Sequence, residues 1–215
     1  MANDVETNRV TIDVDATVRI EVGAFTYSDA ALVLEGLGYA VEDRSGLAYR
    51  FDRDGKKADL MVADHTRPQP TYRGRKVMAI PGGNQALGRL QEVAFQLDGG
   101  QVMIPVPTLH GALVLKAAAH KEDNRDRARH LLDAITLLAC VIDIEPIIGD
   151  LKGSDRRRLL YLIRMFDEHK LVVAQAPPDT VGLAEQTLNE LRDSLSLFHP
   201  EGAGHSPVPV SLKPF

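Results

Sequence analysis

Three carboxylates carry the chain's most specific chemistry. Asp13 and Asp15 stand two residues apart in VTIDVDATVRIEV (10–22), and Asp59 follows in KADLMVA (57–63). If 10–22 is extended, residues two apart point the same way, so Asp13 and Asp15 share one strand face. Two carboxylates at that spacing sit close enough to share a hard divalent cation. A third from a neighbouring strand completes an open, all-oxygen site with room for water and phosphate, the arrangement that Mg²⁺ prefers. Two metals in such a site activate an attacking oxygen and stabilise a leaving pyrophosphate. The plain alternative is a solvated strand face whose carboxylates pair with Arg19 or Lys57.

A second group lies further along. Lys116 sits among Leu113, Leu115 and alanines. On so apolar a helix its ammonium must snorkel to water or find an anionic partner. Asp133 offers one, either as a simple helix–helix ion pair or as the neighbour of Lys116 at the edge of a cleft. The seven histidines show no ligand spacing, and with one cysteine a zinc site is not expected. Cys140, at an apolar helix end, reads as core rather than nucleophile. Arg125, Arg127 and Arg129 alternate with acids as a solvated face, and Arg156, Arg157 and Arg158 read as a first-turn surface. Either set could touch a phosphate backbone if the acceptor were RNA.

The elements that must position these residues follow from periodicity. The alternation of Val, Ile and Thr with polar residues over 10–22 is the strongest strand signal. SDAALVLEGLGY reads as a helix capped by Ser28 and ended near Gly38. Extended segments at 47–52 and 57–63 flank Asp54-Gly55, a hairpin signal. The stretch 64–74 reads as a loop, and 76–80, 91–97 and 101–104 as strands. Gly82-Gly83 marks a tight turn ahead of a short helix. From Pro105-Val106-Pro107 the pattern turns helical: 109–121 capped by Thr108, 125–142 with a stripe of Leu131, Ile135, Leu138 and Ile142, 154–170 from Ser154-Asp155, and 180–198 beyond Pro177-Pro178. The expected class is α+β: a mixed β-sheet core over 1–105, a helical C-terminal region over 106–199, and a loose tail over 200–215.

Composition narrows the function classes. The 215 residues include 25 Lys and Arg against 30 Asp and Glu, a formal charge of −5. An acidic chain lacks the signature of a dedicated duplex-binding protein. One cysteine excludes an internal disulfide and suits a reducing compartment. No apolar run approaches the roughly 18–20 residues of a membrane span, and MANDVETNRV has no apolar signal core. The expectation is a cytoplasmic protein with no membrane partner.

The order of the motifs adds a resemblance. Arg9-x-Thr11-x-Asp13-x-Asp15 opens a strand, an amphipathic helix follows, and a hairpin brings in Asp59. This looks like the metal-binding core of the polymerase-β-like nucleotidyltransferase fold. More narrowly, it resembles the AbiEii-like nucleotidyltransferases of toxin–antitoxin and phage-defence systems. Lys116 on one helix, then Arg127, Arg129 and Asp133 on the next, match that family's helical half; the likeness spans about residues 9–165. It implies Mg²⁺ on Asp13, Asp15 and Asp59, with Asp59 also assisting the acceptor hydroxyl. It also implies an NTP substrate contacted by Arg9, Thr11, Lys116 and Asp133. The NMP would pass to a tRNA 3′ end or a protein hydroxyl, and a cognate antitoxin could restrain the activity. One departure stands out. The family's Gly-Gly or Gly-Ser turn, whose N–H groups hold phosphates, precedes the Asp-x-Asp strand, whereas residues 1–12 contain no glycine. The expectation is then either a natural start further upstream or a member that has lost the phosphate-holding turn; the retained Asp13, Asp15 and Asp59 favour an enzyme, and a catalytically silent binding or regulatory module is the alternative. An enzyme modifying a small molecule would use the same carboxylates.

Overall fold

The computed structural model describes residues 5, 13–18, 26–42, 46–124 and 126–197. Arg9, Thr11, the flanks of the first strand beyond 13–18 and the tail from residue 198 lie outside them. The class is α+β, with mixed sheets followed by a helical C-terminal half.

The first strand, β1 (Asp13–Val18), leads to α1 (Tyr27–Gly36). The helix starts earlier than the Ser28 expectation. Thr26 is the cap, accepting from the Asp29 N–H while the Asp29 carboxylate accepts from the Thr26 N–H at 2.7 Å. This reciprocal box satisfies two otherwise orphaned donors, whereas a Ser28 cap would satisfy one. Gly38, at φ 85°, takes the left-handed position just past the end, as read.

Four short strands follow: β2 (Ala40–Val41), β3 (Leu47–Ala48), β4 (Arg50–Arg53) and β5 (Lys56–Ala63). The segment expected as one strand over 47–52 is therefore two. Its first part pairs with β7 (Arg75–Val77) in a three-stranded sheet completed by β6 (Thr71–Tyr72), which interrupts the expected 64–74 loop. Its second part forms the hairpin across Asp54-Gly55, both at positive φ as a tight two-residue turn requires. The main sheet runs β1-β5-β4-β2, with β1 parallel to β5 and β4 antiparallel to it. Strand β8 (Ala79–Ile80) joins β5 near its end. Tyr27, Ala31, Phe51, Leu60, Val62 and Tyr72 form the core under α1. The Tyr27 hydroxyl donates to the carbonyls of Ala48 and Leu60, pinning α1 across two strands.

The short helix α2 (Gly83–Leu87) begins after Gly82, at φ 80°. Asp64, just past β5, accepts from the Gly82 N–H at 2.8 Å and the Asn84 N–H at 3.0 Å, so a carboxylate caps this turn. Gly83 is held by contact rather than by φ: a Cβ there would lie 2.7 Å from Ala63 Cα. Gly83→Ala must push α2 off β5, and overpacking of this kind costs about 1–3 kcal/mol. Urea denaturation should show that loss; an unchanged midpoint would contradict the close approach.

Strands β9 (Leu90–Leu97) and β10 (Gly100–Pro107) form a separate two-stranded ribbon that runs past the expected boundary at Pro105. The helical half then comprises α3 (Leu109–Glu122), α4 (Arg127–Ala139), α5 (Glu145–Gly149), α6 (Asp155–Glu168), α7 (Lys170–Val173) and α8 (Pro178–Leu197). Thr108 caps α3 as expected, accepting from the Gly111 N–H. Leu131, Ile135 and Leu138 are buried as read, joined by Leu113, Leu159, Leu162, Leu188 and Leu191 in one core. Ile142 departs from the stripe: α4 stops at Ala139, so the residue leaves the helical phase and is exposed. No helix among the described residues is long and apolar enough to cross a membrane.

Candidate functional site

Pairing register assembles a charged face across three strands. Asp15 on β1 is the register partner of Asp59 on β5, which is in turn the partner of Arg50 on β4. Two residues earlier, Asp13 aligns with Lys57, and Lys57 with Asp52. Register partners on neighbouring strands share a sheet face, and period two keeps both rows on the same one. Four acidic and two basic residues therefore occupy adjoining rungs, while the core residues Leu60 and Val62 take the opposite phase of β5.

Within this face the structure departs from a simple carboxylate trio. Arg50 donates from Nε to Asp59 Oδ1 at 2.7 Å and from Nη2 to Asp59 Oδ2 at 2.5 Å. This is a bidentate guanidinium–carboxylate pair, the strongest form of charge-assisted bond. Asp59 is buried and Asp15 exposed. Both Asp59 oxygens are thus engaged by Arg50, a residue the sequence reading did not single out. The donor chemistry at Asp13 and Asp15 suits Mg²⁺, since paired carboxylates at one strand repeat are hard oxygen ligands. Arg50 occupies one lone pair on each Asp59 oxygen and leaves the others, so Asp59 keeps the donor chemistry of a third hard ligand. Among the described residues, no three His, Cys, Asp or Glu side chains converge as a ligand set.

Lys116 and Asp133 do meet. Lys116 Nζ donates to Asp133 Oδ2 at 2.7 Å, tying α3 to α4, with both side chains partly exposed. The link is the helix–helix ion pair weighed above. Arg158, placed on a first-turn surface from sequence, instead donates to the Gln85 side chain and approaches Gly82. Arg156 likewise donates to the Leu195 carbonyl at 2.7 Å. Cys140 is partly buried and stands outside the helical core, and desolvation raises its thiol pKa.

A second polar cluster was not legible in the sequence. Arg89, just past α2, is buried and donates from Nε to Asp150 Oδ2 and from Nη2 to Asp155 Oδ2, both at 2.5 Å. Asp155 is fully buried and also accepts from the Lys152 N–H at 2.8 Å. The Lys152 contact, with Arg89 beside it, holds the Asp150 carboxyl down at about 2. His110 lies against both acids, 3.8 Å from Asp150 Oδ2 and 3.7 Å from Asp155 Oδ2. The cluster borders a cavity of about 440 Å³ that is also lined by Val141, Pro146 and Ile147.

The imidazoles of His110, His120 and His130 all have depressed pKa values, chiefly because burial disfavours the charged ring. Unfolding restores the ordinary value near 6.5. As pH falls through that value the unfolded chain takes up protons that the folded chain resists, so stability is lost with acidification. The melting temperature should fall between about pH 7 and pH 5, a window in which ordinary carboxylates remain ionised. A flat profile there would contradict the burial of these rings.

No protein-family model, no curated protein and no solved structure matches the chain.

Proposed function

We propose that the chain is a nucleotidyltransferase that moves an NMP from an NTP to a hydroxyl of RNA, such as a tRNA 3′ end, or of a protein. The observation that carries the reading is the register that puts Asp13, Asp15 and Asp59 on one face of two parallel strands. The motif resemblance described above supplies the reaction class. Asp13 and Asp15 would hold Mg²⁺, which when bound would supply neutralisation of phosphate charge. Arg50 has a fork that suits phosphate as well as carboxylate, so an arriving triphosphate competes with Asp59 for it. Once released, the Asp59 carboxylate accepts the proton of the acceptor hydroxyl. Acceptor attack at the α-phosphorus releases pyrophosphate, and the rate comes from positioning and charge neutralisation. The protein works in the cytoplasm, as a toxin under the control of a cognate antitoxin.

A second reading draws on the Arg50 fork itself. With both Asp59 oxygens engaged, the same face serves a catalytically silent module that binds without transferring. Incubation with Mg²⁺, α-labelled NTPs, and cellular RNA and protein separates the two. Covalent label on either acceptor supports the transferase; nucleotide binding without label supports the silent module.

A further inference from the structure

Lys57 stands in the middle of the charged face, and the described structure leaves its ammonium uncommitted. On β5 it aligns with Asp13 of β1 on one side and with Asp52 of β4 on the other, one strand repeat from Asp59. Two of these acids are engaged elsewhere. Both Asp59 oxygens accept from the Arg50 fork, and Asp52 Oδ1 turns to the hairpin, accepting from the Gly55 N–H at 3.2 Å. Among the described residues no hydrogen bond or ion pair reaches Lys57 Nζ, although the side chain is partly buried. The face therefore holds one cation already paired, Arg50, and one that is not.

We propose that Lys57 holds the β- and γ-phosphates of the nucleotide, so that this face selects a nucleoside triphosphate over a monophosphate. The inference rests on the transferase reading of the same face. Spacing puts the ammonium within reach. Positions one repeat apart on a strand are separated by ~6.6 Å and neighbouring strands by ~4.8 Å, and a flexible four-carbon stem spans such gaps. Charge supplies the need. Sites of phosphoryl transfer add Lys or Arg clamps to the cation, because a triphosphate carries more negative charge than the cation alone offsets. Arg50 must leave a bidentate pair to serve, whereas Lys57 has no pair to break. Its three rotatable donors can also follow a departing group. In the transfer step the acceptor oxygen bonds to the α-phosphorus and the bond to the bridging oxygen breaks. The electron pair leaves with pyrophosphate, and the acceptor proton goes to Asp59. Lys57 stays protonated throughout and offsets the charge that pyrophosphate collects.

Titration calorimetry on the full chain tests this, with Mg²⁺ and ATP, CTP, GTP or UTP in turn, and then with the matching monophosphates. The natural chain should bind at least one triphosphate more tightly than its monophosphate. Lys57→Met should weaken that triphosphate by about 10–100-fold and leave the monophosphate unchanged. Lys57→Arg keeps the charge and should keep most of the affinity, with far-UV circular dichroism the same for all three chains. A Lys57→Met chain that binds the triphosphate as tightly as the natural one, or that loses both nucleotides equally, would overturn the assignment while leaving the transferase reading in place. A loss in Lys57→Arg as complete as in Lys57→Met would overturn it as well, since charge would then not be what matters. A natural chain that binds no triphosphate would overturn the inference and the reading together. Triphosphate selection by Lys57 with no label passed to any acceptor would uphold the inference and favour the silent module.

Discussion

Arg89→Met should destabilise the protein by about 3–5 kcal/mol, the largest loss expected of any single change here. Arg89 is buried and is the shared donor to Asp150 and Asp155. Asp155 is fully buried, and its Oδ1 has no hydrogen-bond partner in the described structure. Removing the guanidinium strands that carboxylate without its counter-charge, and the cost of an unpaired buried charge exceeds what the pair itself contributes. The asymmetry gives a built-in control. Arg89→Met with Asp155→Leu removes both charges together, and a good part of the loss should return. Urea unfolding of the natural, single and double variants measures this. A single-variant loss below about 1 kcal/mol would mean that the ion pair is not the joint between the end of α2 and the start of α6.

On the proposed transferase reading, Asp15→Asn should reduce nucleotidyl transfer by more than about 10²-fold while shifting stability by less than about 0.5 kcal/mol. The side chain is exposed on β1, and the substitution preserves its size and much of its hydrogen-bonding capacity. What it removes is the negative charge that a hard cation requires. A structural role in the strand would show the reverse pattern, lost stability with activity retained.

The same face shows how far sequence reasoning reaches. Once Asp54-Gly55 is taken as a two-residue hairpin loop, counting outward pairs 53 with 56 and therefore Arg50 with Asp59. The guanidinium partner is thus within reach of the alternation and the hairpin count alone. The alignment of Asp15 with Asp59 is not. Their strands are parallel and joined by a long crossover, and no turn fixes the register of such a pair. Residue patterns gave the α3 cap at Thr108 and the buried stripe of α4, because those depend on neighbours three or four residues away. The Arg89 cluster joins residues 61 and 66 positions apart. Before the fold is known, Asp155 looks like an ordinary acid in a helix's first turn. Helix α5 was missed for a similar reason: five residues are too few to display a period. Its place is set by packing of Ile147 into the helical core.

The reading of the charged face as a transferase centre meets its most direct test in one comparison. The natural chain and Asp15→Asn are incubated side by side with Mg²⁺, each α-labelled NTP in turn, and cellular RNA and protein as acceptors. The account predicts covalent label on an acceptor with the natural chain, abolished by chelation of Mg²⁺ and by Asp15→Asn. Label that persists undiminished in Asp15→Asn, or no label from any NTP on either acceptor, would contradict it.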